Sequence, residues 1–229
     1  MSSSRDRILS KLRSDHKPFP DAPPRPQAYR PVALVGDQSA EGLLKQFRES
    51  LTGLMGEAFV VEGDDAAREK VLELLKAQNT TDLLAWDFRH IPVNGLEAAI
   101  RESGITIHHP EMHDEFREET LETIRNAQVG LTGADQAIAA TGTLVVSTGP
   151  GKGRLPTVLA PVYVAVITVD QIVARLEDWV TRQRAQGNEV LKNSANICFI
   201  SGPSKTADIE MQMIMGVHGP GVVQVVVKR

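Results

Sequence analysis

The chain has 229 residues, 41% of them apolar and 24% charged, and its 25 Lys+Arg against 29 Asp+Glu give a formal net charge of −4. That balance suits an ordinary globule with a sizeable core and excludes a dedicated nucleic-acid binder, which needs a basic excess to neutralise phosphates. A single cysteine, Cys198, excludes a disulfide framework, a CxxC redox pair and a self-contained iron–sulfur cluster. The longest apolar stretch, Val162 to Val169, is far short of a membrane span, and MSSSRDRILSKLRSD lacks the apolar core of a secretory signal. The expectation is a cytoplasmic chain with no membrane span.

Ile8, Leu9 and Leu12, set between Arg5, Arg7, Lys11 and Arg13, predict one short amphipathic helix. Six of the 13 prolines then fall between Pro18 and Pro31, and proline's fixed φ and missing amide donor make this an extended linker. Residues 1–31 thus read as an arm ahead of an α/β domain over 32–229. Three apolar residues anchor a helix poorly, which favours an arm that reaches a neighbouring subunit over one packed on its own body.

From Gly36 helix and strand alternate. Ser39 caps a helix carrying Leu43, Leu44, Phe47, Leu51 and Leu54, and Ala58 to Val61 is a short strand. Asp64 and Asp65 open a helix with Val71, Leu72, Leu74 and Leu75 inward. Leu83 to Trp86 is a strand, Val93 to Glu102 a helix closed by Gly104, and Ile105 to His108 a strand. Asp114 caps a helix through Phe116, Leu121 and Ile124, followed by the strand Val129 to Thr132. This rhythm predicts a Rossmann-like, mainly parallel sheet with helices on both faces. Further strands are Thr143 to Thr148, Val162 to Val169, Asn196 to Ile200 and Val222 to Val227, with Asp170 capping a long helix through Trp179 to Gln186.

Three stretches gather glycines and small hydroxyls at predicted strand ends, and open parallel sheets bind ligands outside the carboxyl ends of their strands. The first, LTGADQAIAATGTL, offers Thr132, Gly133, Asp135, Thr141, Gly142 and Thr143 as an anion-holding backbone or as a plain turn. The second, STGPGKGRLP, brings Lys152 and Arg154 on a loop that either closes over a carboxylate or phosphate or is merely mobile. It is not a Walker A loop, and no GxGxxG fingerprint, GxSxG elbow or HExxH motif is present.

The third stretch, SGPSKTADIEMQMIMGVHGPG, packs Gly202, Ser204, Thr206, Asp208, Glu210, His218 and Gly219 between apolar strands. Asp208 and His218 are its candidate acid/base groups, against a reading in which they cap a helix and satisfy a carbonyl. A fourth cluster holds His108, His109, Glu111, His113 and Asp114, but Pro110 breaks any regular ligand spacing and no metal site is assigned to it. Cys198, inside an apolar run, reads as a buried core thiol.

GPSKTADIE followed by GVHGP, with ATGTLVVS and AVITVDQIV upstream, resembles the lactate utilization protein C family, the LUD-domain group. The likeness runs from about Val129 to the C-terminus, more loosely over the first half. It implies the α/β fold shared with phosphosugar isomerases and CoA transferases, and a role beside two iron–sulfur subunits in bacterial oxidation of L-lactate to pyruvate. Two positions depart from the family pattern: Ala140 stands where members carry Glu before the Thr-Gly-Thr turn, and Tyr163 lies where they tend to have His. Ser204, Thr206, Asp208 and His218 match.

Two functional readings follow. In the first, the chain is a subunit of an L-lactate-oxidising system that binds a small anion, with iron–sulfur clusters on partner subunits and no cofactor evident in this chain. Its ligand residues are Thr132, Thr141, Gly142, Thr143, Lys152, Arg154, Gly202, Ser204, Thr206 and Gly219, and Asp208 and His218 are catalytic. In the second, it is an independent phosphosugar-isomerase- or CoA-transferase-like enzyme, for which fold analogy alone is a weak warrant. A pure scaffold is the blandest option. The departures at Ala140 and Tyr163 favour the first.

Overall fold

A computed structural model describes residues 3–15, 33–109, 117–207 and 213–229. The chain divides into two units, residues 1–32 and 33–229. The first carries α1 (Ser4–Asp15), started by reciprocal hydrogen bonds between Ser3 and Asp6, with Ile8 and Leu12 exposed.

In the second unit Ser39 accepts the Gly42 amide at 3.1 Å and starts α2 (Ala40–Gly53), which buries Leu44, Phe47 and Leu51. Such side chains contribute roughly 1.5–3 kcal/mol each when fully buried. The chain continues through β1 (Glu57–Val61), α3 (Gly63–Ala77), β2 (Asp82–Ala85), α4 (Leu96–Glu102), β3 (Thr106–His108), α5 (Arg117–Ile124) and β4 (Val129–Thr132). After these come β5 (Gln136–Ile138), β6 (Thr143–Ser147), β7 (Val162–Thr168), β8 (Ile172–Val173), α6 (Leu176–Ala185), α7 (Glu189–Asn193), β9 (Ile197–Ile200), β10 (Lys205–Ala207), β11 (Met213–Met215) and β12 (Val222–Lys228).

Six strands form one parallel sheet in the order β1-β12-β7-β4-β2-β3. Alternation along β2 shows that both faces are covered: Leu84 packs with Ile124 and Ala127 beside α5, while Leu83 and Ala85 join the core built with Val71 of α3 and Ile100 of α4. The expected fold class therefore holds. The chain leaves β2 for β3 on one side and β4 for β7 on the other, so the carboxyl ends of β2 and β4 flank the topological switch point.

The second half departs from the expectation in four respects. Thr143 to Ser147 do not join the parallel sheet: β6 belongs to a second sheet, β8-β5-β6-β9, where it runs antiparallel to β5 and β9. The short strands β5 and β8 and the β10–β11 hairpin were not anticipated, since runs of two or three residues carry no readable period. Asp170 does not cap the long helix; it lies in a single turn, Val169–Gln171, boxed by Thr168 and Gln171, and β8 intervenes before α6 begins at Leu176. Cys198 is half-buried on the edge strand β9, its thiol donating to Asn196 Oδ1, rather than sunk in the core. The expected cap Asp114 lies outside the described residues, and α5 is described from Arg117.

Candidate functional site

A cavity of about 880 Å³ opens beyond the carboxyl ends of β2 and β3. Ala85, Asp87 and Phe88 reach it from β2 and its continuation, His109 from the residue after β3, and residues 148–156 with Asn196 close it. The glycine-rich loop is built onto β2 rather than hanging over it. The Trp86 indole donates to the Gly153 carbonyl at 2.8 Å, the Asp87 amide to the Gly151 carbonyl at 2.9 Å, and His90 Nε2 to the Pro150 carbonyl at 3.1 Å. Gly149 and Lys152 exchange backbone hydrogen bonds of 3.2 and 2.9 Å. Gly151 has φ of 71°, and a Cβ there would lie 2.8 Å from Asp87 Cβ, so only glycine fits this turn.

The charges around the cavity are mostly paired. Lys152 bonds Asp135 and, at 3.0 Å, Ser147 Oγ, and its ammonium sits 4.9 Å above the Trp86 ring. The Arg89 guanidinium holds the Asp87 carboxyl well below the usual carboxylate range. Glu97 takes both Arg101 hydrogen bonds on Oε1, at 3.1 and 2.8 Å. Arg154 is the exception: its exposed guanidinium has no ion-pair or hydrogen-bond partner among the described residues.

Unpaired donors add to that cation. The backbone amides of Gly151, Gly153 and Arg154 meet no acceptor among the described residues. Asn196 uses its Oδ1 on the Cys198 thiol, which leaves its Nδ2 protons free. His109 Nδ1 donates to the Ala85 carbonyl at 3.1 Å, so the neutral ring keeps Nε2 as an acceptor. A wall with more free donors than acceptors, and one unpaired cation, recognises an anion.

The residues picked out from the sequence are dispersed. Lys152 and Arg154 lie at this cavity. Gly202, Ser204, His218 and Gly219 line a smaller one of about 400 Å³, together with Ser201, Thr157 and Phe199. That cavity sits by the amino ends of β7 and β12: Ser204 donates its amide to the Pro220 carbonyl at 2.8 Å, and Gly221 to the Pro161 carbonyl at 2.9 Å. It lies toward the opposite end of the parallel sheet from the first.

Thr132 is fully buried, donating to the Gly133 carbonyl at 2.6 Å and accepting from the Tyr163 hydroxyl at 2.8 Å. Burial pushes the Tyr163 phenol up, so it stays a neutral donor. Thr141, Thr143 and Ser201 form a hydroxyl chain with 2.7 Å steps, and Gly142 packs on α2. Thr206 sits in β10 opposite Ile214. Asp208 lies outside the described residues, as do Glu111, His113 and Asp114. His108 bonds Asp82 at 2.9 Å, and among the described residues no three potential metal ligands gather.

Phe88, Glu97 and Asn196 were not among the residues picked out from the sequence, and His109 stood only in the histidine cluster to which no metal site is assigned. Leu83 to Trp86 was read as a strand, but which strand ends adjoin the switch point depends on a strand order that a single sequence does not display.

The fold and cavity define a parallel α/β protein with a ligand crevice at its switch point. The LUD domain family model matches residues 44–227, and the chain belongs to that family. It is 32% identical to lactate utilization protein C of Halalkalibacterium halodurans, over 88% of this chain and 84% of that one. With lactate utilization protein C of Macrococcus caseolyticus it shares 29% identity, over 93% and 87% of the two chains. The resemblance carried by GPSKTADIE and GVHGP is thus confirmed. The crystal structure of a DUF162 family protein from Deinococcus radiodurans has the same fold, with TM-score 0.58 at 19% identity, covering 84% of this chain and all of that one. No helix among the described residues is long and apolar enough to cross a membrane.

Proposed function

We propose that this chain serves in L-lactate utilization, as a component acting with iron–sulfur partner subunits in oxidation to pyruvate, and that it binds a small anionic ligand in the cavity above β2 and β3. The shared name of its curated relatives supports the pathway. The observation that carries the anion is Arg154, an unpaired guanidinium on a loop tied to β2 by Trp86.

Removing two electrons from lactate needs a redox centre, and a chain whose one cysteine is Cys198 lacks the thiolates for an iron–sulfur cluster, which supports clusters carried by partner subunits. Asp208 and His218 are kept as candidate proton-transfer groups, but His218 lines the smaller cavity by the amino ends of β7 and β12, so that role belongs to a second site and not to the anion at Arg154. Deleting the gene should abolish growth on L-lactate while sparing growth on pyruvate, and restoring it should rescue growth. Undiminished growth of the deletion strain on L-lactate would overturn the reading.

A further inference from the structure

The Arg154 cavity is far larger than a three-carbon acid requires, and its walls are divided by chemistry. We propose that it is a nucleotide site, holding a nucleoside mono- or diphosphate with its phosphate at Arg154, its ribose at Glu97 and its base in the corner made by Phe88 and His109. The inference rests on the anion reading above and names the class of anion.

Four observations carry it. The volume, about 880 Å³, is that of a site for a drug- or cofactor-sized ligand, whose range is about 300–1,000 Å³. The position, at the carboxyl end of β2 beside the switch point, is where open parallel sheets take such ligands. The loop side carries the free amides of Gly151, Gly153 and Arg154 with the unpaired guanidinium, a donor set suited to phosphate oxygens and independent of a GxGxxG turn.

Facing chemistry completes the set. Glu97 accepts both Arg101 hydrogen bonds on Oε1, and its Oε2 is left to accept from a ribose hydroxyl. The Phe88 and His109 rings stand 5.9 Å apart at 89°, a right-angled corner that offers a flat base a ring face on one side and a ring edge on the other. A sugar phosphate without a base would leave that corner unfilled, and lactate would leave most of the cavity to water.

The test is calorimetric titration of the full chain with ADP and UDP, beside adenosine, inorganic phosphate and L-lactate. Both nucleotides should bind saturably, with adenosine and phosphate each at least about tenfold weaker. Arg154→Ala should weaken ADP about tenfold without changing adenosine, as expected for one lost charged hydrogen-bonding partner, and Phe88→Leu should weaken ADP and adenosine alike but not phosphate. Unchanged melting temperatures for the two variants would assign these losses to the site. Arg154-dependent binding of phosphate or lactate with no preference for ADP would overturn the nucleotide assignment and leave the anion reading standing. If none of these anions binds in an Arg154-dependent manner, both fall.

Discussion

Lys152 is ion-paired with Asp135, both side chains at least four-fifths buried, while Arg154 two residues later has no such partner. The two cations of one loop therefore divide the work. Asp135 also accepts the Ser147 amide at 2.5 Å, so the pair ties the loop to β6. Removing one member leaves the other charge mostly buried.

Lys152→Met should accordingly lower unfolding free energy by about 2–3 kcal/mol. Arg154→Ala, at an exposed position, should change it by less than about 0.5 kcal/mol and act on ligand affinity instead. Urea denaturation of both variants checks this, and equal stability losses would contradict the division.

The hydrogen bond from Trp86 to Gly153 fixes the loop over the cavity. Trp86→Phe keeps a buried aromatic body but orphans that carbonyl, and should cost about 1–2 kcal/mol. Amide hydrogen exchange across residues 149–154 should quicken in the variant while β12 remains protected. A variant with unaltered exchange in the loop would show that Trp86 does not hold it.

Two glycines should differ sharply in their tolerance of alanine. Gly142 has φ of 56°, and a Cβ there would lie 2.4 Å from the Leu51 amide nitrogen, a backbone atom of α2 that has no rotamer to move. Gly142→Ala should destabilise by about 2 kcal/mol or more. Gly149 has open space at its Cβ position, and Gly149→Ala should stay within about 0.5 kcal/mol of wild type. Thermal midpoints of the two variants make the comparison.

Acid should weaken the fold partly through Asp82. Its carboxylate accepts from His108 and Thr81, which pull its pKa below the ordinary value of 3.8. A folded-state pKa below the unfolded one gives stability that is fully present above 3.8 and lost as pH falls through the lower folded value. Asp64, bonded to Lys228 and Asn94, acts with the same sign. Urea midpoints measured between about pH 2 and 7 should fall at the acid end, and Asp82→Asn should flatten that fall. An acid limb as steep in the variant as in wild type would remove Asp82 from the account.

The first half of the fold was legible because its elements are long enough to show a period. Leu44, Phe47 and Leu51 recur at helical spacing and are buried on one side of α2, with Ser39 as the side-chain cap. The second half was not, because β5 and β8 have three and two residues and owe their strand conformation to β6 and to each other. Lys152 and Arg154 stood out as cations on a glycine loop, but nothing local distinguishes one with a buried carboxylate partner seventeen positions back from one without. His109 stood in a histidine cluster with no regular ligand spacing, and its Nδ1 meets the Ala85 carbonyl across the β2–β3 pairing. Segment 201–221 was expected at a strand's carboxyl end. It does follow β9, but it also leads into β12, and this brings its cavity to the amino side of the parallel sheet.

The measurement that bears most directly on the proposed role is L-lactate-dependent dye reduction by this chain alone, by the two proposed iron–sulfur subunits alone, and by all three together. The account predicts activity only in the full mixture, reduced by Arg154→Ala, with Asp208→Ala and His218→Ala locating any proton-transfer contribution. Equal activity of the partners without this chain would contradict it.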